Sequence, residues 1–306
     1  MSKNSFLFQN AKQGNYKKVD LKQHKFYNLS HKGEAMEYFT LITGATGGLG
    51  GAFAKQCALR GDNLVLTGFN PAKLEKIVNE IKTNFSCVKV VSKTCDLSVE
   101  KQRKEFFEFL ESEQIKINFL VNNAGYIAEG DFLSFSDEEV LKIIRVNCEG
   151  TVDFTQKVIK ARDDRMPLSI ITISSMAGDY PMPHMSMYSA TKAMLTNLMV
   201  ALSEEFKGQN VFFTTVCPSG IPTTTAMKDA IKAQGFGGKI TACTPEKVAE
   251  IALKASKKHK VIIRPKCING FLACISRPLS EKCKAKIVGK RWKRSQAKRN
   301  FDKEGK

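Results

Sequence analysis

Short apolar runs alternate with longer amphipathic stretches from residue 38 onward. The runs are rich in β-branched and aromatic side chains, which is typical of buried strands. They predict strands at Tyr38–Thr43, Asn63–Thr67, Val88–Thr94, Phe119–Val121, Ser169–Ile173, Val211–Val216 and Val261–Ile263. Between the runs, apolar residues recur at helical spacing, as at Leu74, Ile77, Val78 and Ile81. The pattern therefore predicts alternating strands and helices.

Three of the predicted helices begin with capping residues. Asn70 and Thr244 each precede a proline, and Ser136 is followed three residues later by Glu139. Such side chains accept the free N–H groups of a first helical turn. Repeated strand–helix units of this length predict an α/β fold, a Rossmann-type doubly wound parallel sheet flanked by helices. We expect this single domain at 36–265, between a polar extension at 1–35 and a basic tail at 266–306.

Most of the excess positive charge lies at the C-terminal end of the chain. The net charge of +18 divides into +4 for residues 1–37, −1 for residues 38–253 and +15 for residues 254–306. The central body is therefore close to neutral. An electrostatic partner is expected at the C-terminal tail and not at the body.

The cysteines and the N-terminus indicate a reducing compartment. Nine cysteines are scattered along the chain without a Cys-x-x-Cys pair, so the sequence predicts neither a metal site nor a disulfide framework. Cys57, Cys95 and Cys217 fall where small buried residues are expected. No signal-peptide pattern or apolar run of about 18 residues occurs, so we expect a cytoplasmic protein.

A glycine-rich turn follows the first predicted strand. Gly44, Gly48 and Gly50 allow a tight turn, the close approach of a pyrophosphate and close packing of a helix on a strand. The next residues continue as a helix whose N-terminus favours an anion. The pattern therefore predicts a dinucleotide site, and a Gly-rich turn without a ligand is the alternative.

Five motifs follow one another along the chain: Thr43–Gly50, Asn122–Gly125, Asn147, Ser175 and Tyr188-x-x-x-Lys192. In order and spacing they resemble the short-chain dehydrogenase/reductase family, over roughly residues 36–265. The resemblance implies an oxidoreductase that interconverts a ketone and a secondary alcohol with a nicotinamide cofactor. It also implies a homodimer or homotetramer.

The resemblance assigns four catalytic roles. Tyr188 is the acid/base, and Lys192 lowers its pKa and holds the nicotinamide ribose. Ser175 donates to the substrate oxygen, and Asn147 anchors a water in a proton relay. A free tyrosine titrates near 10, so a nearby cation would match it better to neutral pH. The alternatives for single residues are a strand-end cap at Ser175 and a satisfied helix amide at Asn147.

The resemblance also assigns the residues that contact the cofactor. They are Thr43, Gly44, Thr46, Gly47, Gly48, Leu49, Gly50, Asp96, Leu97, Asn123, Ala124, Gly125, Tyr188, Lys192, Pro218, Gly220, Ile221 and Thr223. NAD-dependent members commonly place an acid where Gly68 stands, and NADP-dependent members often place arginine where Phe69 stands. Since the acid is absent, the sequence favours NADP over NAD.

The expected substrate is a hydrophobic carbonyl compound or alcohol, such as a lipid, acyl or steroid-like molecule. Besides Ser175, the predicted pocket residues are Met182, His184, Met185 and Met227. Methionine is soft and adapts to irregular apolar ligands. Packing within the core is the alternative for these side chains.

Apolar residues in the tail alternate with lysine and arginine. Phe271, Leu272, Ile275, Ile287 and Trp292 suit a helix lying on an anionic membrane. A solvated polycation is the alternative, and nucleic-acid contact is less favoured. A second function class is a catalytically silent nucleotide-binding scaffold or a membrane adaptor. The intact set of Asn147, Ser175, Tyr188 and Lys192 argues against a silent site.

Overall fold

The computed structural model describes residues 37–304, with side chains described up to residue 297. Seven parallel strands form one sheet in the order β3-β2-β1-β4-β5-β6-β7. The strands are β1 Tyr38–Ile42, β2 Asn63–Leu66, β3 Val90–Ser92, β4 Lys116–Asn122, β5 Leu168–Ile173, β6 Val211–Val216 and β7 Ile262–Ile263. The strand order reverses between β1 and β4, which confirms the predicted doubly wound, Rossmann-type sheet.

Helices cover both faces of the sheet. They are α1 Gly48–Arg60, α2 Pro71–Asn84, α3 Glu100–Ser112, α4 Asp137–Ile144, α5 Gly150–Lys160, α6 Ser186–Glu205, α7 Thr225–Ala233, α8 Gly235–Thr241, α9 Pro245–Ser256, α10 Cys267–Ile275 and α11 Glu281–Glu304. The three predicted caps are confirmed: Asn70, Ser136 and Thr244 each accept a backbone N–H of the first turn.

Two hydrophobic cores lie on opposite faces of the sheet. One is formed with α1, α2 and α9 and includes Phe53 and Ile77. The other is formed with α3, α5 and α6 and includes Phe106 and Phe154. Alternate strand residues supply the two cores, because successive side chains of a strand point to opposite faces. Cys57, Cys95 and Cys217 are buried as predicted.

The predicted strand boundaries differ from the structure at the edges of the sheet. Strand β3 spans Val90–Ser92 instead of Val88–Thr94, since it is an edge strand paired only with the four-residue β2. The N–H of Val88 instead donates to the Phe85 carbonyl in a turn. At the other edge, β7 comprises Ile262–Ile263 instead of Val261–Ile263. The central strand β4, in contrast, extends beyond its predicted ends.

The basic tail forms α10 and α11, and both pack against the body. On α11, Ala285, Val288, Gly289, Trp292 and Ser295 are at least partly buried, at a spacing of three or four residues. These side chains form the side of α11 that faces the body. The expectation that Trp292 faces lipid is wrong, since its ring stacks on His184. Within residues 37–304, no helix is both long and apolar enough to span a bilayer.

Candidate active site

The glycine-rich turn between β1 and α1 has the shape that a pyrophosphate requires. Gly44 has a φ of 63°, which disfavours other residues. A Cβ on Gly50 would overlap the Gly44 carbonyl oxygen, so the turn lies directly against the helix. Among the side chains that the structure describes, none caps α1, and the first turn of this helix contains no acid. The first N–H groups of α1 are therefore available to an anion, and the turn fits a dinucleotide.

Hydrogen bonds join this turn to the end of β4. The Thr43 hydroxyl accepts from the N–H groups of Asn123 and Ala124 at 3.0 and 3.1 Å. The Asn123 amide donates to the carbonyls of Thr43 and Gly44 at 3.1 and 3.0 Å. These predicted cofactor residues therefore meet at the point where the strand order reverses.

Other predicted cofactor positions surround the same turn. A Cβ on Gly48 would lie 2.9 Å from Cγ2 of Thr223, so the loop after β6 reaches the turn. Asp96 accepts hydrogen bonds from the N–H and hydroxyl of Ser98. The Leu97 side chain is buried and lies close to Gly150. The structure therefore places Leu97 in the packing behind the site.

Ser175, Tyr188 and Lys192 converge at the carboxyl end of β5. Ser175 follows β5, and its hydroxyl accepts from the N–H of Ala177 at 3.0 Å. Tyr188 lies in the first turn of α6, near enough to Ser175 for that hydroxyl to influence the pKa of Tyr188. One turn later, Lys192 places its Nζ 5.8 Å from the centre of the Tyr188 ring. The three side chains form one cluster, as the sequence predicts.

Burial dominates the electrostatics of this cluster. Burial lowers the pKa of Lys192 to about 8, and its Nζ donates to the Ile173 carbonyl at 2.7 Å. Burial also raises the pKa of Tyr188, and the nearby Ser175 hydroxyl opposes that rise. The pKa of Tyr188 is thus raised where the sequence predicted a lowered value, because desolvation of the phenolate outweighs the favourable interactions.

Asn147 lies in a π-helical turn, Arg145–Glu149, between α4 and α5. Its Oδ1 accepts from the N–H of Tyr126 at 2.7 Å, and its Nδ2 donates to the Tyr126 carbonyl and the Thr191 hydroxyl. The buried side chain therefore ties the loop after β4 to α6. The sequence did not reveal the π turn, which is a feature frequent at functional sites. The water-anchoring role of Asn147 stays a prediction.

The predicted pocket residues lie on two segments at the carboxyl edge of the sheet. Met182, His184 and Met185 are half-buried in the loop before α6, and Met227 is half-buried on α7. The ring of His184 stacks on that of Trp292, with centres 3.9 Å apart. Sequence reasoning did not connect Trp292 to this pocket, because the two residues are 108 positions apart in the chain and no local pattern joins them.

Comparisons with known proteins agree with this architecture. The sequence model of the short chain dehydrogenase family matches residues 39–234. A very-long-chain 3-oxoacyl-CoA reductase of Schizosaccharomyces pombe is 32% identical over 61% of this chain and 57% of its own length. A 17-beta-hydroxysteroid dehydrogenase type 3 of Mus musculus is 31% identical over 72% of this chain and 76% of its own.

The solved structure of a 7beta-hydroxysteroid dehydrogenase aligns with a TM-score of 0.74 at 21% identity, over 82% of this chain and 96% of that one. At this identity the likeness concerns the fold. The match with the yeast reductase spans little more than half the length of that relative.

Proposed function

Since the chain belongs to the short-chain dehydrogenase family, we propose that it is an oxidoreductase that interconverts a ketone and a secondary alcohol with a nicotinamide cofactor. The observation that carries this proposal is the convergence of Ser175, Tyr188 and the buried Lys192, whose Nζ lies 5.8 Å from the centre of the Tyr188 ring. A hydroxyl donor, a proton donor and a cation are the groups that reduction of a carbonyl requires.

Each side chain has one step in this mechanism. The cofactor, held by the glycine-rich turn, Asn123 and Lys192, supplies the hydride. Ser175 orients the substrate oxygen by donating its hydroxyl, and Tyr188 delivers its phenolic proton to the oxygen as negative charge develops there. The raised pKa keeps Tyr188 protonated and ready to donate at neutral pH. The buried cation of Lys192 stabilises the phenolate that remains.

The substrate that we propose is hydrophobic, with an acyl chain or a steroid-like ring. The half-buried Met182, Met185 and Met227 offer adaptable apolar surface, and the two relatives named above act on 3-oxoacyl-CoA and on hydroxysteroids by name. The test is ketone-dependent oxidation of NADPH and NADH by the full chain, with a series of 3-oxoacyl thioesters and steroid ketones. The Tyr188→Phe variant is the blank. Equal rates for both proteins would favour a nucleotide-binding scaffold instead.

NADP is the cofactor that we propose. The loop after β2 carries Gly68, Phe69 and Asn70 and no acid that would repel a 2′-phosphate. A Cβ on Gly68 would lie 2.8 Å from Cγ2 of Thr46, in the glycine-rich turn. Any side chain at position 68 would therefore press against Thr46. The absence of an acid in this loop supports NADP over NAD.

We expect NADPH to bind more tightly than NADH. Gly68→Asp should weaken NADPH binding by at least about tenfold, because it adds a repulsive carboxylate and displaces Thr46. It should not create tight NADH binding, since the displaced Thr46 belongs to the turn that holds the pyrophosphate. Titration of both cofactors by nicotinamide fluorescence measures the effect, and Phe69→Ala, at a position 70% exposed, is the control. Tighter binding of NADH by the unchanged protein would refute the preference.

We further propose that the protein associates peripherally with anionic membranes from the cytoplasm. On α10 and α11, Phe271, Ile275 and Ile287 are 59%, 52% and 53% exposed. The exposed face of α11 also carries Lys286, Lys290, Arg291, Lys293 and Arg294. Interfacial binding combines burial of apolar side chains in the lipid with attraction of cationic side chains to anionic head groups. The exposed apolar residues and the neighbouring lysines and arginines match these two components.

Co-sedimentation with vesicles tests this association. Binding to anionic vesicles should be strong at low salt and weaker but measurable at high salt, because salt screens only the cationic component. Phe271→Ser combined with Ile275→Ser should remove the vesicle binding that persists at high salt, because that binding depends on burial of apolar side chains. Val99→Ser, which changes an exposed apolar residue at the start of α3, is the matched control. Equal binding of neutral and anionic vesicles would contradict the electrostatic role.

The homodimer or homotetramer stays a prediction. Leu141 and Ile144 on α4 and Met194 on α6 are exposed, and α4 packs against α6. An apolar surface shared by two neighbouring helices supports self-association there.

A further inference from the structure

The loop that precedes α6 is attached to the C-terminal segment at four places. We call residues 179–184 the pocket loop, since they join Ser175 and Tyr188 and include two of the predicted pocket residues. Asp179 contacts Arg264, Tyr180 contacts Ser276 and His184 contacts Trp292. Pro183 lies next to Gly289, where a Cβ would be 3.2 Å from the Cγ of the proline. The pocket loop is thus held by residues that lie after position 234, where the family match ends.

Trp292 is the centre of the last of these contacts. Its ring lies parallel to that of His184, with 12° between the planes. Its Nε1 donates to Oε1 of Glu129 at 2.6 Å, and Gln296 donates to the same oxygen at 2.7 Å. His184 is also 2.7 Å from Oδ1 of Asp131, and its carbonyl accepts from the N–H of Gly130. Trp292 therefore connects the loop after β4 to the pocket loop after β5.

Helix α11 also reaches a third loop. Arg291, next to Trp292, donates to Oε1 of Gln234 at the end of α7, at 3.0 Å. Parallel strands of a doubly wound sheet present their ligands at the carboxyl edge, where the loops after β4, β5 and β6 emerge. Ser175 and Tyr188 lie at this edge. Helix α11 therefore contacts loops that emerge at the same edge of the sheet as Ser175 and Tyr188.

The backbone of His184 adds a further sign of constraint. It has a φ of 64°, in the left-handed region that residues other than glycine seldom adopt. Such a conformation persists only where the surroundings enforce it, and it is frequent at ligand sites. The stack with Trp292 and the contact with Asp131 are the surroundings that hold it.

We propose that Trp292 is a specificity-determining residue. With His184, it forms the outer wall of the substrate pocket and contacts the distal apolar part of the substrate. The proposal rests on the proposed function. A long-chain ketone would extend past Tyr188 to the indole, whereas a small ketone would occupy only the space next to Ser175 and Tyr188. Trp292 would thus select substrates by the length of their apolar part.

Replacement of Trp292 should alter the use of long substrates only. With a long-chain ketone, Trp292→Ala should raise KM by about tenfold or more, because contact with the indole is lost. With a ketone of a few carbons, both kcat and KM should stay within about twofold, because that ketone does not reach the wall. Trp292→Phe keeps an aromatic face and should retain most of the preference. Gln296→Ala, which removes only the neighbouring contact to Glu129, is the matched control.

His184 supplies a second variant that keeps the backbone intact. His184→Gly removes the ring but tolerates the left-handed conformation, so it should reproduce the effect of Trp292→Ala. The double variant should be hardly worse than either single variant, since both disrupt one contact. If the two substitutions had strictly additive effects on the KM of the long-chain ketone, His184 and Trp292 would not act through one shared contact.

A binding measurement that requires no turnover tests the role of Trp292 independently of the proposed function. Trp292 is the single tryptophan of the chain, so its fluorescence reports directly on the wall. A non-reacting long-chain alcohol should change the emission in a saturable way, and a short alcohol should not. Absence of turnover with every ketone would defeat the proposed function, whereas this titration would still test the wall. No emission change with the long alcohol, or equal KM shifts for short and long ketones, would overturn the inference.

Discussion

Replacing Tyr188 with Phe should lower kcat by roughly 10²–10⁴-fold, which is the usual contribution of general acid–base catalysis. The substitution removes the phenolic proton and leaves the ring in place beside Lys192. Ser175 stays in position after this substitution, because its hydroxyl still accepts from the N–H of Ala177. Steady-state oxidation of NADPH with a ketone of a few carbons measures the effect, because that substrate does not depend on the distal pocket.

The Tyr188→Phe result is specific only if binding is retained. Cofactor affinity should change by less than about threefold, since the dinucleotide is held mainly by the glycine-rich turn and Asn123. Ser175→Ala should cost less than Tyr188→Phe, because it removes an orienting donor and leaves the proton source in place. A loss of less than tenfold for Tyr188→Phe would exclude the tyrosine as the proton donor.

The fold and the centre of the site could be predicted because their signals are local. The alternation of strands and helices is visible in apolar spacing, and Asn70, Ser136 and Thr244 form the predicted caps. The glycine-rich turn and the Tyr188-x-x-x-Lys192 spacing each lie within one short segment. Parallel topology then brings these segments to one edge of the sheet.

The remaining features depend on contacts between distant positions. The stack of His184 on Trp292 joins two loops that no periodicity relates. The position of Trp292 was predicted wrongly because an amphipathic helix can bury its apolar face against protein or lipid, and the pattern is the same in both cases. The pKa of Tyr188 depends on how deeply the site is buried, which a motif does not encode.

Lys192 should impair stability while it serves catalysis. Burial of its ammonium lowers the pKa from 10.5 to about 8, and the nearby Cys148 and Cys217 oppose this shift only weakly. At about 1.4 kcal/mol per unit, this shift corresponds to a penalty of roughly 3 kcal/mol at neutral pH. Lys192→Met removes the charge and keeps a similar length, but it also loses the hydrogen bond to the Ile173 carbonyl, for about 1 kcal/mol. We expect a net gain of about 2 kcal/mol in unfolding free energy and loss of activity.

The pH dependence of the unfolding free energy distinguishes removal of the buried charge from a general change in packing. In the folded protein Lys192 releases its proton near pH 8, while in the unfolded chain it keeps the proton up to about 10.5. The unfolded state therefore binds more protons between these values, and the stability of the unchanged protein rises there with pH. The advantage of Lys192→Met should be largest below pH 8 and should shrink as the pH approaches 10.5. Urea unfolding at several pH values measures it, with Lys192→Arg as the variant that stays charged and gains nothing. A constant difference across this range would show that the buried charge is not the cause.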